Sequence, residues 1–321
     1  MSNAESARED APRALVSSLG DYRNVAAIVA GLGILQAGTS ALGAFAPLTL
    51  LARGESAMGV AIVSASYAAG FLIGALRATA SVRAIGHIRA FAGFAAAATI
   101  FVLALYQFAH LWAWMAVQAC IGICVAALLT TGESWIADVA PRERRGAIVS
   151  FYLVISKVGQ ILGPIALIGM APAHPSAFMA IGAALAGSLI PVCATRRTQP
   201  QAPSVQPFGV REAWATAPAA VLASFAAGAV NGSVLQLYPL YAVEDVATAN
   251  FFRTASLNAA LALGALVAQW PAGWISDRRD RRVVIAALAA LGAGVALALG
   301  LLRDSAPWAA LLALAALWGA G

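Results

Sequence analysis

Apolar stretches of about 20 residues recur along this chain with short, arginine-bearing breaks between them, and no other feature restricts the fold as much. Hydrocarbon offers no water to backbone N–H and C=O groups, so a crossing segment of that length closes its hydrogen bonds internally as an α-helix. Spans are predicted near 25–51, 57–76, 90–109, 111–137, 147–170, 175–194, 217–241, 251–275 and 283–302. A tenth apolar run begins at Pro307; at 1.5 Å per residue it reaches about 22 Å by Gly321, short of a crossing. The chain is therefore read as ending inside a helix. Composition agrees: 61% of the 321 residues are hydrophobic and 11% charged, with mean hydropathy +0.81. Soluble domains carry about a quarter charged residues, so lipid is the expected solvent. The fold class is all-α, a polytopic membrane protein.

Sixteen of the 20 basic residues fall on one side of this threading: Arg8, Arg13 and Arg23; Arg77, Arg83 and Arg89; Arg142, Arg144 and Arg145; Arg196, Arg197 and Arg211; and Arg278, Arg279, Arg281 and Arg282. Arg53, Arg253 and Arg303 lie opposite, and Lys157 lies within a span. Basic loops are retained in the cytoplasm, so the N-terminus is expected there, in a bacterial cytoplasmic membrane. The net charge of +6 follows from this placement; the arginines lack the interleaved aromatics of a nucleic-acid surface, and no nucleic-acid partner is expected. Residues 1–24 form a polar N-terminal segment with no apolar core, so no cleavable signal peptide is predicted. The one long connection, 195–216, is rich in Pro, Gln, Ser and Arg. It separates a six-helix bundle at 25–194 from an incomplete bundle at 217–321.

Four stretches carry charge, backbone-bending residues or both. After the eighth span the chain reads Gly273-Trp-Ile-Ser-Asp277-Arg278-Arg279-Asp280-Arg281-Arg282. Asp277 at a helix end can accept from arginines, and breaking those pairs would release one conformation. The corresponding early stretch, Gly70 to Arg89, keeps glycines and arginines but has no acid, so a latch there would borrow Asp138 or Glu143. His87, beside Arg89, is expected to be solvated at the membrane edge. After the fourth span comes Asp138-Val-Ala-Pro141-Arg142-Glu143-Arg144-Arg145-Gly146. The fifth span carries Gly159-Gln160-Ile-Leu-Gly163-Pro164: the glycines share a face that admits a second helix, and Pro164 frees a carbonyl and permits bending. Gly70/Gly74 and Gly228/Gly232 repeat the four-residue spacing and are read as packing positions.

These stretches resemble the signatures of the major facilitator superfamily: G-x-x-x-D-R-x-G-R-R after the eighth span, with Asp280 in place of the later glycine; the acid, A-P and R-G of the fourth-span loop; and part of the fifth-span pattern of exporters. The resemblance, to a bacterial drug or metabolite permease-like branch, implies two six-helix bundles that rock about a central site, and two further helices in a complete member. It also implies a cytoplasmic gating network of Gly273, Asp277, Arg278, Arg281 and Arg282 with Asp138 and Arg145.

Lys157 is the only lysine and lies mid-span, where a charge costs several kcal/mol unless it meets water, a partner or a ligand. A cavity-facing role is favoured. Glu133 lies about 13 Å from the midpoint of its own helix and is a poor partner for it. Mid-membrane amides at Gln36, Gln118, Gln160, Asn231, Gln236 and Asn258 would line a polar path. Because first, fourth, seventh and tenth helices surround the path in the superfamily, Gln36, Gln118 and Asn231 stand out. Cys120 and Cys124 share one helix face, but with no further Cys or His nearby they make a poor metal site; Cys193 stands apart, and no metal or cofactor is expected.

No H-E-x-x-H, P-loop, G-x-S-x-G or mid-span aspartate pair is present, so an enzyme is not expected. The expected function is secondary transport of a small molecule, proton-coupled efflux of apolar or amphipathic compounds being the first reading. Uptake or exchange of an anionic metabolite at Lys157 is the second, and a non-transporting receptor or assembly protein on the same fold the third. The chain is expected to act as a monomer in the bilayer, with its substrate and protons as partners.

Overall fold

The computed structural model describes residues 2–141, 144–171, 174–194, 209–242, 251–276, 278–303 and 305–320; side chains are described from Val25 onward, those of Val210, Trp270, Gly273, Ser276 and Arg281 aside. The described chain is helical, with no strand among those residues. Its elements are α1 (Ser2–Ala52), α2 (Ala57–Ile85), α3 (His87–Leu105), α4 (Leu111–Val139), α5 (Arg145–Ile165), α6 (Pro175–Gly187), α7 (Leu189–Cys193), α8 (Val210–Thr216), α9 (Pro218–Ala242), α10 (Phe251–Ser276), α11 (Arg281–Leu302) and α12 (Trp308–Ala320). Nine membrane-length apolar helices are found among the described residues, α6 and α7 together making one, and Val25–Ala52 being the apolar part of α1.

The helix ends follow local chemistry. Ser56 caps α2 by accepting from the Gly59 N–H at 3.1 Å. Pro175 opens α6 at the first helical position, where no N–H is needed. The α6/α7 break follows from Pro191, which cannot donate to the carbonyl of Gly187. Between α2 and α3 the expected loop is absent: α2 runs on to Ile85, and Gly86 alone, at φ +84°, reverses the chain before His87. The α5 helix stops at Ile165, just after Pro164, and the chain turns at Gly169 with φ +94°.

Two long helix pairs approach backbone to backbone. Along α2 and α4, a Cβ at Gly70, Gly74 or Gly122 would land on the carbonyl oxygens of Ala119, Ile123 and Tyr67 respectively. Along α10 and α12, Gly264 lies on the carbonyl of Ala316 and Gly319 on that of Leu261. Lipid supplies no hydrophobic drive between helices, so close contact of small residues does the work. The second and fourth spans of the first half thus repeat as the second and fourth of the other half. A third seam joins α1 to α5, where Gly159 meets the carbonyl of Gly33 and Gly163 that of Ala37. The N-terminal bundle meets the C-terminal helices chiefly where α5 packs on α10, and where α1 and α2 touch α9.

Candidate functional site

A cavity of about 650 Å³ lies between the two bundles, walled by α1, α2, α4, α5, α9 and α10. Six carboxamides line it: Gln36, Gln118, Gln160, Asn231, Gln236 and Asn258. The hydroxyls of Thr39, Ser40 and Ser64 and the rings of Tyr67, Phe71 and Phe225 fill much of the remaining wall. None of the described lining residues is charged. The amides reach one space because each lies on the part of its own helix that borders the seam between bundles. The tenth span does not join them: α12 is drawn onto α10 and α11 instead. Gly228 and Gly232 also differ from expectation, for no atom lies within 4 Å of a Cβ at either, and both open on the cavity.

Lys157 is absent from the described cavity wall, contrary to the cavity-facing expectation. Gly159 and Gly163 commit one face of α5 to α1, and Lys157, roughly 140° round the helix from that face, lies half-buried. Its ammonium donates to Gln160 Oε1 at 3.1 Å, so the cation touches a residue of the wall without lining it. Glu133 is engaged elsewhere: the Tyr152 hydroxyl of α5 donates to its Oε1 at 2.9 Å.

Polar capacity at the wall is partly unspent. Gln118 and Tyr238 are 6% and 5% exposed, and the Gln118 Oε1 and the Tyr238 hydroxyl have no hydrogen-bond partner. An unmet buried polar group costs about 1–3 kcal/mol, which marks both as standing costs of the site. By contrast the carbonyl of Gln160 is well used. Pro164 brings no N–H to this oxygen, and it accepts from Ser40 Oγ at 2.8 Å and from Asn258 Nδ2 at 2.7 Å. Sequence reasoning found the proline's effect but missed Ser40 and Tyr238; a lone hydroxyl in an apolar run carries no spacing that marks it.

At the arginine-rich end, Asp138 and Arg145 do not bond one another. Asp138 Oδ2 faces His87 Nε2 at 3.7 Å, whereas the Arg145 guanidinium donates to the Ala137 carbonyl at 2.8 Å, satisfying one of the last carbonyls of α4. His87 is buried and also contacts Ser134 Oγ at 3.2 Å; it is not solvated, because the one-residue turn at Gly86 folds it against α4. Asp277 lies outside the described residues. Gly273 falls within α10 and Arg281 opens α11. Arg278 lies over the Trp274 ring at 4.0 Å and donates to the Trp274 carbonyl at 3.2 Å. The Asp280 carboxylate accepts the Arg282 N–H at 2.9 Å and so caps α11. In the sequence Asp280 reads as a missing glycine; an aspartate two arginines ahead of an apolar run was the available signal.

Several known proteins are similar to this chain. The MFS-type transporter YcaD of Escherichia coli (strain SMS-3-5 / SECEC), itself uncharacterized, is 28% identical over 270 residues, covering 82% of this chain and 69% of YcaD. The protein of the same name from Escherichia fergusonii is 24% identical over 266 residues, with the same coverage. Among solved structures, a mutant of the nucleoside transporter NupG matches with TM-score 0.70 at 12% identity, over 94% of this chain and 79% of that one. A bacterial homolog of the human lysosomal transporter Spinster, inward-facing and unoccupied, matches with TM-score 0.66 at 14% identity, over 94% and 73%. These likenesses carry the fold. The family model described as Major Facilitator Superfamily matches residues 28–321, nearly everything from the first apolar span onward, and the chain belongs to that superfamily of membrane transporters.

Proposed function

We propose that this transporter moves a small, uncharged amphipathic molecule across the bacterial cytoplasmic membrane by tilting its bundles about the cavity, in the direction of export and at the expense of a proton gradient. The cavity wall carries the reading: carboxamides, hydroxyls and apolar groups, with no charged side chain among its described residues. A charged solute entering such a space would lose its hydration without gaining a counter-charge, at a cost of several kcal/mol. A neutral one exchanges water for amide and hydroxyl partners, and the unspent Gln118 and Tyr238 groups are available to it. Glu133, bonded to Tyr152 and exposed, is the carboxylate within the described spans best placed to bind and release the coupled proton. The arginine bias supports a cytoplasmic N-terminus.

The test is flux in proteoliposomes containing the purified chain. Neutral aromatic amphiphiles are expected to move faster than equally sized carboxylates, and faster still under an imposed pH gradient. In Glu133→Gln the gradient effect is expected to vanish while gradient-independent exchange persists. Equal rates with and without protein, for every class of solute, would overturn transport and favour the non-transporting role. A second reading rests on the Lys157–Gln160 bond, which puts a cation one side chain from the wall. Selective movement of carboxylates, lost in Lys157→Ala, would favour uptake or exchange of an anionic metabolite.

A further inference from the structure

We infer that the Gln160 carbonyl is the point at which the two bundles lock together, and that Asn258 is the positioning residue that closes the lock. The inference rests on the tilting motion proposed above and says where it is held. A helix carbonyl is ordinarily consumed by the N–H four residues on; here that residue is Pro164, so the Gln160 oxygen keeps both lone pairs for other donors. One donor comes from within the first bundle: Ser40 of α1, at 2.8 Å. The other comes from the opposite bundle: Asn258 of α10, at 2.7 Å. Asn258 Nδ2 also lies 3.3 Å from Ser40 Oγ, so three helices close a triangle of polar contacts. Asn258 is 4% exposed and Ser40, Gln160 and Asn258 all line the cavity, so the lock sits where cargo would touch it.

Position along the helices says which side the lock governs. Gln160 lies five residues before the end of α5 and Asn258 seven after the start of α10, which places both about 7–11 Å from the arginine-poor ends of their helices. The lock therefore ties the seam on the arginine-poor half. Opening that half to the far side of the membrane requires the Asn258 bond to break. Closing it requires the carbonyl to be unclaimed by its own helix. The proline thus makes the seam reversible: it supplies an acceptor that costs no helix bond when the bundles part.

The experiment is a spin-label distance measurement on the full chain in lipid nanodiscs, with Cys120, Cys124 and Cys193 changed to alanine and labels at Met58→Cys on α2 and Ala309→Cys on α12. Both positions are exposed and lie at the arginine-poor end. Asn258→Leu keeps the volume and removes the donor. It is expected to raise the ratio of wide to narrow distances about fivefold, the factor that loss of one hydrogen bond of ordinary net strength produces. Pro164→Ala returns an N–H that competes for the oxygen and should shift the ratio the same way. Adding Asn258→Leu to it should then change little. Ser40→Ala, which adds no bulk, should give a smaller shift in the same direction and serves if Asn258→Leu does not insert. An unchanged distribution in Asn258→Leu or, failing that variant, in Ser40→Ala overturns the lock, as do full, additive shifts for Asn258→Leu and Pro164→Ala. Flux of the unmodified chain is read separately, so failure of the lock and failure of the transport reading give different results.

Discussion

The two halves turn the chain at the arginine-rich membrane edge by different chemistry, although the helix pairs behind those turns are built alike. Between α2 and α3 the reversal takes one residue, Gly86, and the arginines there have no acid in their own loop. The carboxylate comes from α4, where Asp138 faces the buried His87. Between α10 and α11 the turn is longer, Asp280 caps the new helix, and Arg278 is held by the Trp274 ring and carbonyl. Behind both turns, glycines seat one backbone on the other, α2 on α4 and α10 on α12. Packing of the paired helices is thus the part of the design that repeats, and the polar chemistry at the edge is the part that does not.

The largest effect should come from attacking what the halves share. Gly70→Val and Gly264→Val each drive a side chain into a facing carbonyl and are expected to cost about 3 kcal/mol or more, read as loss of the monodisperse peak and a lower Tm in detergent. Gly228→Val, with no atom within 4 Å of its Cβ, should leave Tm unchanged while narrowing the cavity. A stable Gly264→Val beside an unfolded Gly70→Val would break the equivalence of the pairs. Next come the differences. Gly86→Ala forces a non-glycine residue to φ +84° and should cost about 1–3 kcal/mol, with no counterpart among the described residues of the α10–α11 turn. Asp280→Ala removes a cap worth about 1 kcal/mol and should speed amide exchange in the first turn of α11 alone. His87→Leu, which empties the Asp138 contact, should be smallest in Tm, yet should raise the labelling rate of a cysteine placed at Ser134.

Spans and their alternation were readable from apolar run length, because lipid leaves a crossing chain no choice but a helix. Boundaries were less so: the predicted break after residue 76 disappears because Arg77 and Arg83 remain on a helix that continues to Ile85. Gln36, Gln118 and Asn231 were recognisable as polar groups at mid-span, and the structure brings them into one cavity with Gln160. Lys157 was misplaced because the face of α5 that borders the cavity depends on where α1 and α10 pack, which α5 alone does not show. His87 was misjudged for the same reason: burial at a membrane edge depends on a neighbour supplied 47 residues later, at Ser134. Local pattern fixes what a residue offers; distant packing decides who receives it.

The single glycine between α2 and α3 has a mechanical consequence. A joint one residue long has no slack, so any swing of α2 at the arginine-rich edge must drag the start of α3 with it, like two rods sharing a pin. In the tilting proposed above, the outer helix α3 would travel as ballast for the inner one, and stiffening that pin would slow the motion without touching the cavity.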